Sequence, residues 1–228
     1  MFKRAHHQTI HQLLGLFDAQ LLLNAECYFA GGTAIALLLN EYRESVDVDF
    51  LCASKEGYRY LRNCVTQQSL GNILTAPINH LREVRADRDG IRTFLEINNT
   101  PIKVEIVFEA RIPIHGELNN LLKVPVLDIH DMFAEKLLAN CDRGADSSTV
   151  SRDIIDLAML IIHYGDIPQS VWRKVTEAYG QSVVTAFQKS VYRLSDALYL
   201  KSCFKKMDIA QLLAEDVLIA LQRQVVPT

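Results

Sequence analysis

The stretch that decides the predicted fold lies in the first quarter of the chain and is Arg43-Glu44-Ser45-Val46-Asp47-Val48-Asp49-Phe50. Its second half alternates apolar and acidic residues, which is the period of a strand with one buried face. We expect Val46, Val48 and Phe50 to face the core. Asp47 and Asp49 then share the opposite face, where their charges repel unless a cation lies between them.

The two aspartates are therefore candidate ligands for a magnesium ion. Magnesium is usually held by one or two carboxylates together with the phosphates of a substrate. An isolated pair of this kind is more often the solvated face of a half-exposed strand. The metal assignment therefore depends on the neighbouring motifs.

A glycine turn precedes the acidic strand. Gly31-Gly32-Thr33 separates a short apolar strand at residues 27–30 from a predicted helix at residues 34–42. Glycines at such a turn let backbone amides approach a phosphate, and the N-terminus of the helix adds positive potential. The alternative is a tight turn in which Thr33 only caps the helix, and the motif alone favours neither.

A third carboxylate lies on another predicted strand, at residues 102–108. Val104 and Ile106 face one way on this strand, and Glu105 faces the other way, as the two aspartates do. If the two strands are neighbours, three carboxylates converge as two-metal phosphoryl transfer requires, with ions about 3.5–4 Å apart. Glu96 and Glu109 are close along the chain but are not assigned to this site.

The remaining pattern predicts an α/β fold, with a small mixed β-sheet flanked by helices and followed by a helical C-terminal region. A hairpin is predicted around the turn signal Asn98-Asn99-Thr100-Pro101. Strands are predicted at residues 27–30, 46–52, 80–84, 91–97 and 102–108. Helices are predicted at residues 10–21, 34–42, 57–68, 129–141, 152–163, 171–179, 183–200 and 209–221. A boundary near residue 127 divides the chain into a core at 1–127 and a helical region at 128–228 that contributes to the active site.

Composition limits the classes of function. The 228 residues carry a net charge of −3, so any footprint for nucleic acid must be local. The apolar runs are far shorter than the roughly 20 residues of a membrane span. The five cysteines are scattered, which argues against structural zinc and, without a signal segment, predicts a cytoplasmic location.

Two further clusters have both a functional and an ordinary interpretation. The histidines His6, His7 and His11 are interpreted as a solvated helix start rather than a metal-binding tract. A second cluster carries arginines that could follow a polynucleotide backbone. Acidic residues are interspersed among these arginines, which favours a solvated charged hairpin. The arginines of this cluster are Arg82, Arg85, Arg88 and Arg92.

The order of these motifs resembles the AbiEii/AbiGii toxin family of nucleotidyltransferases, within the DNA polymerase β superfamily. The family pattern is Gly-Gly-Thr, a helix, Arg-x-Ser, and Asp-hydrophobic-Asp, and residues 29–34 and 43–50 match each part. The family then carries a lysine on a helix, an arginine, and Arg-Asp-x-x-Asp. These fall on Lys136, Arg143 and Arg152-Asp153-Ile154-Ile155-Asp156. The resemblance covers about residues 27–160, and the last third of the chain carries no motif.

The resemblance and the residues together imply a set of site roles. The candidate catalytic residues are Asp47, Asp49, Glu105 and Lys136, and the candidate metal ligands are Asp47, Asp49 and Glu105. The candidate nucleotide-binding residues are Gly31, Gly32, Thr33, Arg43, Ser45, Lys136, Arg152, Asp153 and Asp156. Two of these have ordinary alternatives. Lys136 could extend to solvent from the edge of an apolar stripe, and Asp153 could only favour the dipole of its helix.

The implied reaction moves a nucleoside monophosphate from an NTP to an acceptor, with one or two magnesium ions. The family implies the toxin of a bacterial toxin–antitoxin or abortive-infection system, for which a cognate antitoxin is a candidate partner. The short apolar runs predict no membrane association. The leading acceptor is RNA, and the end of tRNA comes first. Alternatives are a protein or small-molecule acceptor, a glycosyltransferase that uses Asp-x-Asp, and a non-catalytic binding module on this scaffold.

Overall fold

The computed structural model describes residues 2–227, which contain eight strands and ten α-helices. The strands are β1 (Cys27–Ala30), β2 (Val48–Cys52), β3 (Asn79–His80), β4 (Arg85–Ala86), β5 (Ile91–Ile97), β6 (Thr100–Phe108), β7 (Gly116–Asn119) and β8 (Val124–Leu127). The first five helices are α1 (Ala5–Leu14), α2 (Ala19–Asn24), α3 (Gly31–Leu38), α4 (Lys55–Cys64) and α5 (Ile129–Arg143). The others are α6 (Arg152–Tyr164), α7 (Gln169–Tyr179), α8 (Ser182–Leu194), α9 (Ala197–Met207) and α10 (Ala214–Gln222). The mixed α/β class predicted from the sequence is confirmed.

The chain forms two compact units, and each unit is built from two separate segments of the chain. The first unit combines the chain up to Leu37 with residues 45–128. The second combines residues 38–44 with the chain from Ile129 onward. The short segment 38–44 therefore belongs with the C-terminal helices, although it lies between two parts of the first unit along the chain.

All eight strands form one mixed sheet in the first unit. The strand order is β3-β5-β6-β2-β1-β8-β7, and β4 also pairs with β5. The pairs β2–β6 and β1–β8 are parallel, whereas the other pairs are antiparallel. The central position of β2 gives it hydrogen-bonded neighbours on both sides.

Alternation along β2 builds the core under the sheet. Val48 and Phe50 are fully buried, as predicted. The ring of Phe50 lies 4.9 Å from that of Phe17 and 5.6 Å from that of Phe29, measured between centroids. Burying a side chain of this size contributes about 1.5–3 kcal/mol, so this apolar face fixes which way the acidic face points.

The prediction that Val46 faces the core is wrong, because its side chain is 47% exposed and β2 begins only at Val48. The neighbouring strand β1 ends at Ala30, which pairs with Asp49. No residue of β1 is therefore left to pair with Val46. Its carbonyl is instead hydrogen-bonded to the ring of His6, at 3.1 Å.

The N-terminal region forms two helices where one was predicted. The carboxylate of Asp18 accepts a hydrogen bond of 2.9 Å from the amide of Leu21, so it caps α2 and ends the continuity with α1. The predicted helix 34–42 begins earlier, at Gly31, and ends at Leu38. It ends there because Asn40 and Glu41 adopt left-handed backbone angles.

Short strands account for the other differences in the first unit. The single strand predicted at residues 80–84 is replaced by the two-residue strands β3 and β4. The hairpin β7–β8 was not predicted, since Pro125 in β8 disguises a strand whose four residues are all buried. The hairpin β5–β6 is as predicted, with Asn98 and Asn99 at positive φ in a two-residue turn.

The second unit is helical, as predicted, and α5 packs against α6, α7 and α8. The indole of Trp172 lies edge-on to the ring of Phe187, with 5.4 Å between centroids. The helix predicted at residues 183–200 is divided into α8 and α9. Asp196 divides it, because its carboxylate accepts hydrogen bonds from the amides of Leu198 and Tyr199 and caps α9.

Within residues 2–227, no helix combines the length and the apolar composition that crossing a bilayer requires.

The contrast between Val46 and Val48 gives a matched test of the fold. We expect Val48→Ala to lower the free energy of unfolding by about 2–3 kcal/mol, because it removes buried methyl groups and leaves a cavity. Val46→Ala should change it by less than about 0.5 kcal/mol, since the side chain is largely exposed. Urea denaturation of both variants measures the difference. Equal losses would show that Val46 is buried after all.

Candidate active site

The acidic strand and the Glu105 strand are direct neighbours in the first unit. β2 runs parallel to β6, and Asp49 lies opposite Glu105 in the register. Paired residues on adjacent strands point to the same face and lie about 4.8 Å apart between strands. The predicted adjacency of Glu105 to Asp49 is confirmed, and neither Glu96 nor Glu109 takes this position.

Asp47 lies just before β2 and completes the acidic group. Asp47 and Asp49 are half-buried on either side of the fully buried Val48. Both charges act on Lys103. Burial alone would lower the pKa of Lys103, but Glu105 and then the two aspartates raise it above its usual value. The ammonium of Lys103 therefore lies near all three carboxylates.

Glu105 is held by two cations that the sequence did not assign to the site. Arg92 donates from Nε to Oε1, and Lys103 donates from Nζ to Oε2, each at 2.5 Å. Burial would raise the pKa of Glu105, but the hydrogen bonds and charges of these two cations lower it. The carboxylate is therefore ionised, and both of its oxygens are occupied by hydrogen bonds.

A sequence signal for these cations did exist. Lys103 lies two residues before Glu105 on one strand, so both share a face. Arg92 lies opposite Glu105 across the β5–β6 hairpin. Because a two-residue turn fixes the register of a hairpin, counting back from Asn98 and Asn99 would have paired Arg92 with Glu105.

Gly31 brings backbone directly against the acidic strand. Its φ is +73°, which favours glycine, and a Cβ placed on it would lie 2.9 Å from Oδ2 of Asp49. The start of α3 therefore contacts the carboxylate side of β2. Thr33 and Ser45, two residues of the predicted motif, share a hydrogen bond of 2.8 Å between their hydroxyls.

His7 also supports this region, contrary to the interpretation of the histidines as solvated. His7 is completely buried, and its Nε2 accepts a hydrogen bond of 3.1 Å from the amide of Ser45. This bond fixes the chain two residues before Asp47. Sequence reasoning missed it because helical spacing in α1 places His7 near the boundary between the buried and exposed faces.

The second unit contains a buried cluster of ion pairs, which includes the predicted residues Lys136, Asp153 and Asp156. The ammonium of Lys136 lies 2.9 Å from Oδ1 of Asp153 and 2.7 Å from Oδ2 of Asp156. Arg143 donates from Nε to Asp153 at 2.6 Å. Arg152, in contrast, is exposed. The structure therefore joins Lys136 to both aspartates of the Arg-Asp-x-x-Asp motif.

Arg43 ties segment 38–44 to the same cluster. Its guanidinium donates to both oxygens of Asp156, from Nε at 2.7 Å and from Nη2 at 2.9 Å. The hydroxyl of Tyr42 also donates to Asp156. Because Arg43 and Asp156 are 5% and 0% exposed, this two-pronged ion pair is shielded from water.

Opposite charges keep every member of the cluster ionised. Burial would raise the pKa of Asp156 and Asp153. The cations Arg43 and Lys136 outweigh burial at Asp156, as Lys136 and Arg143 do at Asp153, so both pKa values are lowered. Burial would lower the pKa of Lys136, but the two aspartates raise it.

Comparison with known proteins places the chain in a family. The model of the family described as "Nucleotidyl transferase AbiEii toxin, Type IV TA system" matches residues 15–221. The chain belongs to the AbiEii family of nucleotidyltransferase toxins. The AbiEii match includes both units and reaches α10, so it extends well beyond the motifs found between residues 27 and 160. None of the curated proteins compared with the chain matches it.

Two solved structures share the fold of this AbiEii chain. A crystal structure of a candidate nucleotidyltransferase from H. pylori is 18% identical, with 95% of this chain and 92% of that chain covered and a TM-score of 0.50. An antigenic nucleotidyltransferase-like protein from Paracoccidioides brasiliensis is 14% identical, with 97% and 94% covered and a TM-score of 0.51. At these identities the likeness concerns the fold.

The buried cluster predicts a large effect of Asp156→Ala on stability. This change leaves Arg43 and Lys136 buried without their shared counter-charge, which typically costs about 3–5 kcal/mol. Asp166→Ala is the matched control, because its ion pair with Arg223 is exposed to solvent and contributes little to stability. Denaturation with urea measures both. Equal, small losses would contradict a stabilising role for the cluster.

The lowered pKa of Asp156 predicts that the stability lost in Asp156→Ala depends on pH. Because the pKa of Asp156 is lowered on folding, its contribution is complete above the unfolded value of about 3.9 and is lost as pH falls through the folded value. We expect the stability difference between wild type and Asp156→Ala to be constant from about pH 5 to pH 8 and to shrink in more acidic buffer. Denaturation at a series of pH values tests this, and a difference that grows on acidification would contradict it.

Proposed function

We propose that this AbiEii nucleotidyltransferase is magnesium-dependent and transfers a nucleoside monophosphate from an NTP to the end of an RNA, with tRNA as the first candidate. One observation carries the proposal. Asp49 lies opposite Glu105 on parallel strands, with Asp47 two residues before it and the backbone of Gly31 against it. This arrangement combines carboxylates with a helix N-terminus that can face phosphates.

The residues fit magnesium that arrives together with a nucleotide. Among residues 2–227, no group of three or more His, Cys, Asp or Glu side chains is arranged to hold a metal ion by itself. Magnesium needs only one or two carboxylates when substrate phosphates complete its ligands, and Asp47 and Asp49 supply these. Glu105 would join as the third ligand if its hydrogen bond from Arg92 or Lys103 were replaced by a bond to the ion. When bound, the metal would neutralise charge that develops on the phosphates.

The chain's own residues would orient a simple displacement. The acceptor hydroxyl oxygen forms a bond to the α-phosphorus, and the bond from that phosphorus to the bridging oxygen breaks. Pyrophosphate leaves with the bonding electrons, and the hydroxyl proton passes to a nearby carboxylate or to water. Gly31, Gly32 and Thr33 would lie against the phosphates at the start of α3, and Ser45 would hold Thr33 in place. Such a site acts mainly by positioning and by charge.

The nucleotide-binding roles of the second unit stay predictions. Lys136, Arg43, Asp153 and Asp156 are ionised and joined to one another, which supports a role in holding the helices and segment 38–44. Arg152 is exposed, so it is the member of the motif that is most accessible to a ligand.

The biological role is proposed from the family. A type IV toxin–antitoxin family suggests a cognate antitoxin, and an RNA target would make transfer toxic by blocking a functional RNA end. We also propose a cytoplasmic location, where such RNA and NTPs are present. A protein or small-molecule acceptor is the alternative, and an assay that offers all three acceptor pools separates them.

Removal of one carboxylate should abolish transfer while leaving the fold intact. Each labelled NTP is incubated with magnesium and purified RNA, protein or small-molecule pools, and label is followed on a gel. We expect Asp49→Asn to reduce transfer by at least about 100-fold, because it removes a charge that the developing phosphate charge requires. A chelator should abolish wild-type transfer, and added magnesium should restore it.

Glu96→Gln is the matched control, because Glu96 lies two strands away from Asp49 on β5, four residues beyond Arg92, and accepts a hydrogen bond from Asn79. It should keep wild-type activity. Thermal melting of both variants should match that of wild type, since neither residue is in the core. Full activity in Asp49→Asn would overturn the site assignment, and label in a protein pool only would overturn the RNA acceptor.

A further inference from the structure

A cavity of about 420 Å³ lies in the first unit beside the acidic site, with which it shares Arg92 and Lys103. Four cations and one carboxylate contribute to its lining, together with the ring of Phe94. The cations are Arg82, Arg85, Arg92 and Lys103, and the carboxylate is Glu83. The chain as a whole has a net charge of −3, so this is a local concentration of positive charge.

The cavity shares a face of the sheet with the acidic site. Asp49 pairs with Glu105, Glu105 with Arg92, and Arg92 with Arg85, in one row across β2, β6, β5 and β4. Paired residues point to the same face, and each step between strands is about 4.8 Å, so Arg85 lies about 14 Å from Asp49. The carboxylates of Asp49 and Glu105 and the cations Arg92 and Arg85 therefore lie on the same face of the sheet.

The two sides of β2 differ in what they offer a substrate. Gly31 and the start of α3 follow β1, which lies on one side of β2. The cationic cavity begins on the other side, beyond β6. A nucleotide whose phosphates lie against α3 therefore leaves the cavity free for a second substrate, with the carboxylates between the two.

One contact in the cavity favours a nucleic acid over a simple anion. The guanidinium of Arg82 lies over the ring of Phe94, with 4.5 Å from its central carbon to the ring centroid. Arg82 is exposed, so the outer face of this stack is open to a planar group. Bases of single-stranded RNA stack on such arginine and aromatic surfaces, and arginines bind their phosphates.

We propose that this cavity is the acceptor subsite of the enzyme and binds the single-stranded end of an RNA. Arg85 and Arg82 contact its phosphates, and a base stacks on Arg82 and Phe94. The terminal hydroxyl then lies near Asp47, Asp49 and Glu105. This inference rests on the proposed function, because it assigns the place of the RNA acceptor in the same reaction.

The test uses Arg82→Ala/Arg85→Ala, since neither arginine contacts the three carboxylates. Arg88→Ala is the matched control, because Arg88 is on the same hairpin, forms an exposed ion pair with Asp89, and has a side chain that is 89% exposed. Binding of a fluorescent single-stranded RNA is measured by anisotropy at several salt concentrations. The KM values for RNA and for NTP are measured in the transfer assay.

We expect the double variant to weaken RNA binding at least about tenfold and to lower the salt slope by about 1 to 2, whereas the control stays within about twofold. The KM for NTP should not change. The single variant Arg82→Lys should keep the salt slope of wild type but bind RNA more weakly, because lysine keeps the charge and loses the planar stack.

Three results would overturn the subsite. They are unchanged RNA binding by the double variant, a raised KM for NTP instead of RNA, and displacement of RNA by an acidic peptide at lower concentration than by competitor RNA. Failure of the proposed function gives a different pattern. If wild type binds RNA but transfers no label, and the double variant loses that binding, the subsite stands and the transfer reaction does not.

Discussion

The parallel pairing of β2 with β6 sets Asp49 opposite Glu105, and the proposed chemistry of the first unit depends on this register. A shift by one residue would turn the acidic face of either strand into the core and expose its apolar face. The buried residues Val48 and Ile106 oppose such a shift, so the hydrophobic effect maintains an arrangement of like charges that electrostatics alone would disperse. Lys103 and Arg92 then reduce the repulsion that remains.

The two charged groups of the protein differ in how far they are buried. In the second unit, the fully buried Asp156 accepts hydrogen bonds from Arg43 and Tyr42 and pairs with Lys136, so its oxygens are occupied by buried partners. In the first unit, Asp47 and Asp49 are only half-buried. The buried group suits a structural role, because desolvated charges tolerate little change. The half-buried group suits the proposed exchange with a metal ion and a substrate.

Residue patterns predicted which side of a strand is buried well, and predicted which side chains contact one another poorly. Alternation identified the acidic face of β2 and the outward direction of Glu105, and the asparagine pair at 98 and 99 located the hairpin turn. Alternation also placed Val46 in the core, because a repeating pattern carries no information about where the neighbouring strand ends. The link from Arg43 to Asp156 joins positions 113 residues apart, so local periodicity could not reveal it. The link from Arg92 to Glu105 follows from the register of the β5–β6 hairpin, which the turn at 98 and 99 fixes. For Lys136, the family motif predicted a function, and the structure supplied the neighbours Asp153 and Asp156.

The division of the chain has a consequence for how the protein can be dissected. Because residues 38–44 belong to the helical unit, a single cut after Asp128 does not separate two complete folding units. An N-terminal fragment that ends there would retain the buried Leu39, together with Tyr42 and Arg43, which both donate hydrogen bonds to Asp156 of the missing helices. Such a fragment would expose apolar surface and an unpaired guanidinium within the loop that leads to Asp47. A usable fragment would need that loop replaced by a short polar linker, and the catalytic core is in this sense not an autonomous module.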